Sequence, residues 1–347
     1  VCPEEAVAIR IGINGLGRIG RGFLRDAIAT DDLEVVAVND VGDPEILAHL
    51  IRNDSLAGRF DREVRAADGR LVVDGRAIRC TCFPSPARIP WGGAGADLVI
   101  EATGCFTARA AAAGHFEGGA RAVVITSPST DADITLCYGI NHEAYKPEVH
   151  RVISAGSCTT HAMTGILTVI DEAFGIEHAA ITTVHCVTNN QVLVDAPHAD
   201  RRRARAAGLS MIPTSTTATL AVGQVIPRLA GRLHCLAVRV PTAAVSLVDL
   251  TVTTARPVTV ETARAALRDA AAGRLAGILG YSDEELVSID YLGDRRSAVV
   301  DGPLIAVEAD RFVKVLAWYD NERGYVTRLA DLARHLAGRA VRGRNPS

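Results

Sequence analysis

The feature that most constrains the fold is Gly15-Leu16-Gly17-Arg18-Ile19-Gly20, set between a strand-like run and a helix-like one. Val7 to Gly12 is apolar apart from Arg10 and reads as a buried strand, while Phe23, Leu24, Ala27 and Ile28 recur at helical spacing. In that context a Gly-x-Gly-x-x-Gly pattern is a dinucleotide fingerprint. Gly15 permits the tight turn after Asn14, Gly17 lets a pyrophosphate approach the backbone, and Gly20 lets the helix pack on the strand. A second strand, Leu33 to Val38, closes on Asn39-Asp40, twenty residues past Gly20. A carboxylate there accepts hydrogen bonds from the adenosine ribose and repels a 2′-phosphate, so NAD is expected ahead of NADP.

The alternation continues. Asp43-Pro44 is a cap and first position for a helix through Leu50. Gly58 to Pro90 reads as irregular, with short alternating runs around turns at Asp68-Gly69 and Asp74-Gly75. Cys80 and Cys82 alternate onto one face of a strand-like run; with no second ligand pair nearby they read as core, and no metal is expected. Ala96 to Glu101 is another buried strand, closing on Ala102-Thr103-Gly104, whose small side chains let a cofactor lie close to the backbone. Arg121 to Thr126 is one more. Strands alternating with helices over this half predict a doubly wound parallel sheet.

A third constraint is Ser154-Ala155-Gly156-Ser157-Cys158-Thr159-Thr160-His161, which joins the strand-like Arg151–Ser154 to an apolar segment, Ala162 to Phe174. Cys158 then stands at a helix start, where backbone N–H groups and the helix dipole favour a thiolate. The residue is either a nucleophile or a structural cysteine; the hydroxyls of Ser157, Thr159 and Thr160 suit an oxyanion or phosphate. Ala179 to His185 is a strand delivering His185 at its end, one candidate base among 10 histidines. Thr188 to Pro213 is a long polar segment with Asp195-Ala196-Pro197-His198 and the cluster Arg201-Arg202-Arg203-Ala204-Arg205. That cluster is either a solvated helical face or an anion site. Thr214 to Thr217 opens an apolar helix, Ala218 to Leu229, with hydroxyls at its start. Arg239 lies in an otherwise apolar strand and needs a partner or a ligand. Val245–Thr254 and Phe312–Trp318 are long apolar strands that predict a substantial sheet in this half. Val326, Leu329, Leu332 and Leu336 form the stripe of a terminal helix from Gly324 to Leu336, and Arg339 to Ser347 reads as a frayed tail.

Composition excludes several classes. A net charge of −3 supplies no field for nucleic acid or an anionic membrane, and no apolar run reaches bilayer length. The acidic start, Val1 to Glu5, does not read as a signal peptide. Eight scattered cysteines without a C-x-x-C are expected as reduced thiols.

With these residues in hand, the chain resembles the glyceraldehyde-3-phosphate dehydrogenase family from Ile11 to about Leu336. The matching motifs are Gly12-Ile13-Asn14-Gly15-Leu16-Gly17-Arg18-Ile19-Gly20-Arg21, Asn39-Asp40 and Glu101-Ala102-Thr103-Gly104-Cys105-Phe106-Thr107. Beyond them come Ser157-Cys158-Thr159-Thr160, Thr182-Thr183-Val184-His185, Arg239-Val240-Pro241-Thr242 and Trp318-Tyr319-Asp320-Asn321-Glu322.

The resemblance implies a Rossmann NAD-binding domain over residues 1–157 and an α+β catalytic domain over 158–321 with a large, mostly antiparallel sheet. Residues 322–347 would carry a helix packing back on the first domain. It implies Cys158 as nucleophile toward a small phosphorylated aldehyde, His185 as base, and inorganic phosphate as the acyl acceptor. Ser157, Thr159, Arg205, Thr216 and Thr217 would line the attacking-phosphate site, Thr188 and Arg239 the site for the substrate's own phosphate. Asn14, Gly15, Gly17, Arg18, Ile19, Asp40, Thr103, Gly104, Thr126 and Asn321 would hold NAD. A cytoplasmic homotetramer is implied as well.

The chain departs from the family pattern at Ala155, Gly156, His161, Ala162, Thr217 and Arg323, which suggests a specialised or inhibitor-resistant paralogue. Two alternatives stand beside this reading: erythrose-4-phosphate dehydrogenase, in which water releases the product, and a non-catalytic regulatory protein on the same fold.

Overall fold

Ile9–Asn14 is the strand around which the first half is built, with Ile11 and Ile13 fully enclosed. Each such side chain taken out of water contributes roughly 1.5–3 kcal/mol. Two parallel neighbours, Leu33–Asn39 and Leu98–Glu101, flank it. In the computed structural model, which describes residues 8–342, the chain divides into two compact units. Of the described residues, those up to Tyr138, His142–Gly156 and those from Val326 form the first; Gly139–Asn141 and Ser157–Tyr325 form the second. The strand expected from Val7 begins at Ile9, and Val7 and the acidic start lie outside the described residues.

The first unit carries a nine-stranded sheet. Its order is Ile134–Thr135, Val152–Ser154, Ala122–Ile125, Leu98–Glu101, Ile9–Asn14, Leu33–Asn39, Arg76–Thr81, Arg70–Val73 and Val64–Ala67. The pairings through Arg76–Thr81 are all parallel, as the alternation of strands and helices predicts. The last three strands are an antiparallel meander. The short alternating runs read around the two turns are these strands, so the irregular reading of Gly58 to Pro90 is corrected only where they pair. The two turns were legible, since Asp68 and Asp74 adopt φ of 49° and 47° with glycines following, but the strands between them are short and edge-exposed. Cys82 is exposed just beyond the strand end at Thr81 and Cys80 only half-buried, so the pair is not core.

The helix Arg18–Ile28 buries Phe23, Leu24 and Ala27, and Pro44–Arg52 starts from Asp43, whose carboxylate accepts the Glu45 N–H at 2.7 Å. The terminal helix spans Arg323–Arg342, beyond the Leu336 end expected, so the tail reading fails for Arg339 to Arg342; residues 343–347 lie outside the described residues. Val326, Leu329, Leu332 and Leu336 are buried as the stripe predicts, and Arg334 pairs with Asp32 at 2.5 Å within the first unit.

The second unit is built on a sheet ordered Ile212–Thr214, Leu233–Arg239, Ile176–His185, Ser246–Thr254, Phe312–Tyr319, Ala298–Asp301 and Leu279–Ser282, with Ala306–Glu308 on the Phe312 strand. Most pairings are antiparallel; Ile176–His185 with Leu233–Arg239, and Leu279–Ser282 with Ala298–Asp301, are parallel. Alternate residues of Ser246–Thr254 are buried, including Val248, Leu250 and Val252. The helix Cys158–Phe174 packs on this sheet beside Ala218–Val225 and Val260–Ala272. Two boundaries differ from expectation. Val245 takes φ 64°, a conformation hostile to a β-branched residue, so the strand starts at Ser246. The helix from Ala218 stops at Val225 because Pro227 cannot continue it, and a short 3-10 turn, Pro227–Leu229, follows. Among the described residues no helix is long and apolar enough to cross a membrane.

Asp54 ties the first helix down. Its carboxylate accepts the Leu56 and Ala57 N–H groups at 2.9 Å each and meets Arg18 at 2.5 Å and Arg21 at 3.8 Å. Burial pushes its pKa up, but those two N–H groups and the Arg18 charge outweigh it and hold the carboxyl at about 2. A depressed acid stabilises the fold above its unfolded pKa of about 3.9 and loses that contribution as pH falls toward 2. Asp54→Asn is expected to lower stability by about 1–2 kcal/mol at pH 7, after discounting for screening, and to flatten the stability profile between pH 4 and 2. Denaturant melts of both proteins across that range check it.

Candidate active site

Ser157 caps the helix Cys158–Phe174: its Oγ accepts the Thr160 N–H at 3.1 Å, and the Thr160 Oγ1 accepts the Ser157 N–H at 3.2 Å. This reciprocal box fixes the chain direction at the helix start and leaves Cys158 as its first residue. Gly156 precedes it at φ 59°, a left-handed conformation glycine adopts without penalty. His161, one of the departures from the family pattern, is buried edge-on to the Tyr325 ring, with centroids 5.6 Å apart.

Ile176–His185 pairs in parallel with Leu233–Arg239, and the register sets His185 directly beside Arg239 at the two strand ends. His185 Nε2 stands 3.5 Å from Cys158 Sγ. On the other side of the ring, Nδ1 lies 2.8 Å from the Cys186 carbonyl and 2.6 Å from an Arg239 guanidinium nitrogen. Arg239 also donates to the Cys186 carbonyl at 3.1 Å. The partner that a charge in this strand requires is therefore the Cys186 carbonyl, and with Nδ1–H donating to that same carbonyl the His185 Nε2 lone pair faces the thiol.

Tyr319, at the end of Phe312–Tyr319, holds this assembly together. Its fully buried hydroxyl lies 2.9 Å from Thr159 Oγ1 and 2.9 Å from Thr183 Oγ1, bridging the helix start to the His185 strand. Burial, with the Cys158 sulfur next in weight, pushes its pKa far up, so it is a neutral hydrogen-bonding post. Cys186 is equally enclosed: its N–H reaches Ser246 Oγ at 3.2 Å and its thiol donates to Asn321 Oδ1 at 3.1 Å. Burial pushes that thiol up to about 12, so it remains a donor.

The electrostatics correct one expectation. The helix start alone argues for a thiolate at Cys158, yet burial pushes its pKa above the usual thiol value, against the Thr159 hydroxyl and the Arg239 charge. Burial first, and Arg239 second, push His185 down to about 4. The proton therefore rests on sulfur, and His185 is a neutral imidazole over the whole physiological range.

Of the other expected site residues in this unit, Thr188 donates its N–H to Gln191 Oε1 at 3.2 Å, and Thr216 Oγ1 accepts the Ala218 N–H at 3.1 Å. Thr217 is exposed at the cap position of that helix without a side-chain cap bond. Arg205 departs from expectation: it pairs with Asp195 at 2.9 Å with two-thirds of its side chain in solvent. Arg203 is the half-buried member of the cluster, 19% exposed, donating to Thr214 Oγ1 at 2.8 Å and lying close enough to Arg239 to depress its pKa. Arg203 and Tyr319 were given no role by the sequence: one was hidden among four arginines, the other stood one residue past the expected strand, within the Trp318–Glu322 motif.

In the first unit the fingerprint has the geometry a pyrophosphate needs. Gly15 has φ 91°, and a Cβ there would stand 2.7 Å from the Thr103 nitrogen; one at Gly20 would stand 2.0 Å from the Gly15 carbonyl oxygen. Nothing lies within 4 Å of where a Gly17 Cβ would be, so the start of the helix that carries Arg18 and Ile19 is open to a ligand. Asp40 is oriented by two backbone donors, Leu16 at 2.7 Å and Gly42 at 2.8 Å, each to a different carboxylate oxygen. Asn14 sits inside a chain of buried bonds: Asn39 to Asn14 at 2.9 Å, Asn14 to Glu101 at 2.6 Å, His115 to Glu101 at 2.9 Å, Trp91 to His115 at 2.9 Å. Glu101 also accepts the Thr103 N–H at 2.9 Å, and its carbonyl accepts Thr126 Oγ1–H at 3.1 Å, which places Thr103, Gly104 and Thr126 around one strand end. Glu101 is the residue sequence reading undervalued: a strand-end acid gives no periodic signal.

Comparison with known proteins agrees with this geometry. Residues 9–109 match the sequence model described as "Glyceraldehyde 3-phosphate dehydrogenase, NAD binding domain", and residues 157–321 the one described as "Glyceraldehyde 3-phosphate dehydrogenase, C-terminal domain". The chain is 47% identical over 335 residues to glyceraldehyde-3-phosphate dehydrogenase of Priestia megaterium, covering 96% of this chain and 100% of the relative. It is 48% identical to that of Geobacillus stearothermophilus, with the same coverage, and 48% identical to glyceraldehyde-3-phosphate dehydrogenase 1 of Streptomyces avermitilis, covering 94% and 98%. A thiol and a neutral imidazole at the ends of two elements, an arginine beside them, a dinucleotide fingerprint on a parallel sheet and this likeness over nearly the full length lead to one conclusion: the chain belongs to the glyceraldehyde-3-phosphate dehydrogenase family.

Proposed function

We propose that the protein oxidises glyceraldehyde-3-phosphate to an acyl phosphate with NAD and inorganic phosphate. The observation that carries the reading is the 3.5 Å approach of His185 Nε2 to Cys158 Sγ, with Arg239 alongside. His185 takes the thiol proton as sulfur bonds to the aldehyde carbon and hands it to the carbonyl oxygen, giving a thiohemiacetal on Cys158 and a neutral imidazole again. NAD, when bound, would supply the hydride acceptor. His185 removes the hydroxyl proton as the thiohemiacetal becomes a thioester. A phosphate oxygen then attacks the thioester carbon, the C–S bond breaks, and the leaving Cys158 thiolate takes back the proton held on His185, the phosphate's own proton passing to solvent. Backbone N–H groups at the helix start and the Thr159 hydroxyl stabilise the developing oxyanion.

Arg239, with Thr188, binds the substrate's own phosphate. Ser157, Thr159, Thr216 and Thr217 serve the attacking phosphate, and Arg203 supports that role better than Arg205. Residues Asn14 to Ile19, Asp40, Thr103, Gly104 and Thr126 hold NAD, with the Asp40 carboxylate disfavouring a 2′-phosphate, so NADP is the poorer cofactor. Asn321, its Oδ1 engaged by Cys186, offers its amide N–H groups to the nicotinamide carboxamide. The first unit is the NAD-binding domain and the second the catalytic domain.

A homotetramer is part of the proposal. Leu193, Val194, Leu209 and Met211 expose 84%, 69%, 89% and 75% of their surface on the segment after His185, more apolar area than an isolated loop keeps in water. Seven cysteines among the described residues stand outside disulfides, which fits a reducing cytoplasm.

Reduction of NAD by the purified protein with glyceraldehyde-3-phosphate is expected to require phosphate or arsenate. Turnover indifferent to both would overturn the phosphorylating step. Cys158→Ser is expected to lose at least about 1,000-fold in kcat while binding NAD unchanged by calorimetry. Because His185 stays neutral down to about pH 4, the acid limb of Cys158 alkylation by iodoacetamide should fall well below the ordinary histidine pKa. Arg239→Gln removes the second cause of that shift and leaves burial, so the limb should move up, to a midpoint between about 4 and 6.5.

A further inference from the structure

Away from the Cys158 site, one group of side chains in the first unit has the chemistry of a metal centre. His142 and Glu143 are neighbours on a short 3-10 turn, His142–Ala144, and His335 projects from the terminal helix Arg323–Arg342. One ligand atom from each lies within 4.8 Å of the other two. The two imidazole rings meet edge to face at 4.7 Å, and Tyr138 packs 4.5 Å from His142 and 6.3 Å from His335, restricting both rings.

His335 Nε2 is the informative atom. It is closed off from solvent and has no hydrogen-bond partner, a costly state for a ring nitrogen. The ring's other nitrogen bonds to the backbone of His142. An imidazole that donates one N–H to a carbonyl and turns the opposite lone pair inward is the arrangement that metal-ligating histidines adopt. His142 Nε2 stands 3.5 Å from Glu143 Oε1, and its side chain is 19% exposed. The second Glu143 oxygen is held by the Arg339 guanidinium, which leaves Oε1 on the histidine side.

We propose that His142, Glu143 and His335 bind a divalent transition ion, zinc foremost, with the fourth position left to water. Two imidazoles and one carboxylate are a donor set that zinc takes with an open position. Ligand bonds of about 2.1 Å put tetrahedral donors about 3.4 Å apart, so the widest pair closes by about 1.4 Å through side-chain torsions. The ion would join the terminal helix to the turn at His142, since its ligands come from both.

The test uses the full chain with its accessible thiols blocked by iodoacetamide, titrated with Co²⁺ as a spectroscopic stand-in for zinc. One equivalent is expected to give the weak visible bands of a four-coordinate nitrogen–oxygen site without thiolate charge transfer, and zinc should displace it. His335→Ala should weaken binding at least about tenfold and abolish the rise in melting temperature that zinc gives the parent protein. Arg339→Gln removes a positive charge beside the site and should tighten binding several-fold. That outcome is unavailable to a mutation that merely loosens the helix. Cobalt affinity in His335→Ala within twofold of the parent, weaker binding in Arg339→Gln, or no nitrogen–oxygen spectrum in the parent would each overturn the proposal.

Discussion

The hydroxyl of Tyr319 is the point on which the reactive site depends. It meets Thr159 and Thr183 at once, so the helix that starts at Cys158 and the strand that ends at His185 are locked in one relative position. Neither element could hold that position alone: a capped helix start fixes the direction of Cys158, and strand pairing fixes the height of His185, but their separation is set where they share a partner. Two neutral hydroxyl bonds in an enclosed space are worth more here than at a surface, because a misplaced strand would leave three buried oxygens unpaired.

The same logic of enclosed polar partners runs through the dinucleotide half. Asn14, Asn39, Glu101 and His115 form one satisfied chain at the ends of the parallel strands, and Asp40 is aimed by two backbone donors. Gly17 keeps a side chain out of the space beside the helix start, and Gly15 and Gly20 let backbone pack where a Cβ would collide. Rigidity around an open cradle is what lets backbone N–H groups serve an anion at low cost in ordering.

The sequence made the parallel sheet, the fingerprint, Cys158 and His185 legible because each sits at a switch of periodicity, where a strand stops or a helix begins. Asp43 and the two Asp-Gly turns were readable for the same reason: local backbone chemistry decides them. Features settled by distant pairing were not. The meander between Val64 and Thr81 shows in the sequence only as short alternating runs whose pairing is not legible, and Tyr319, one residue past the strand expected over Phe312–Trp318, shows no role until its partners are placed. Arg203 and Arg205 are indistinguishable in a run of arginines; only the fold turns one toward Thr214 and the other toward Asp195. The Cys158 thiol shows the limit most clearly. Its helix start is visible in the sequence and argues for ionisation, while the burial that opposes it is a property of the packed unit.

The bond between Thr159 and Tyr319 spans 160 positions of chain. During synthesis from the N-terminus, Cys158 leaves the ribosome long before the strand that carries Tyr319 exists, and His185 has no fixed distance to it in the interval. A contact this non-local closes late in folding. The nascent chain therefore carries its thiol without the neighbour that makes it a nucleophile, and reactivity arrives only with the last strand of the sheet. Quality control is built into the order of assembly: a truncated or stalled chain ending before Tyr319 lacks the tie that would assemble its chemistry.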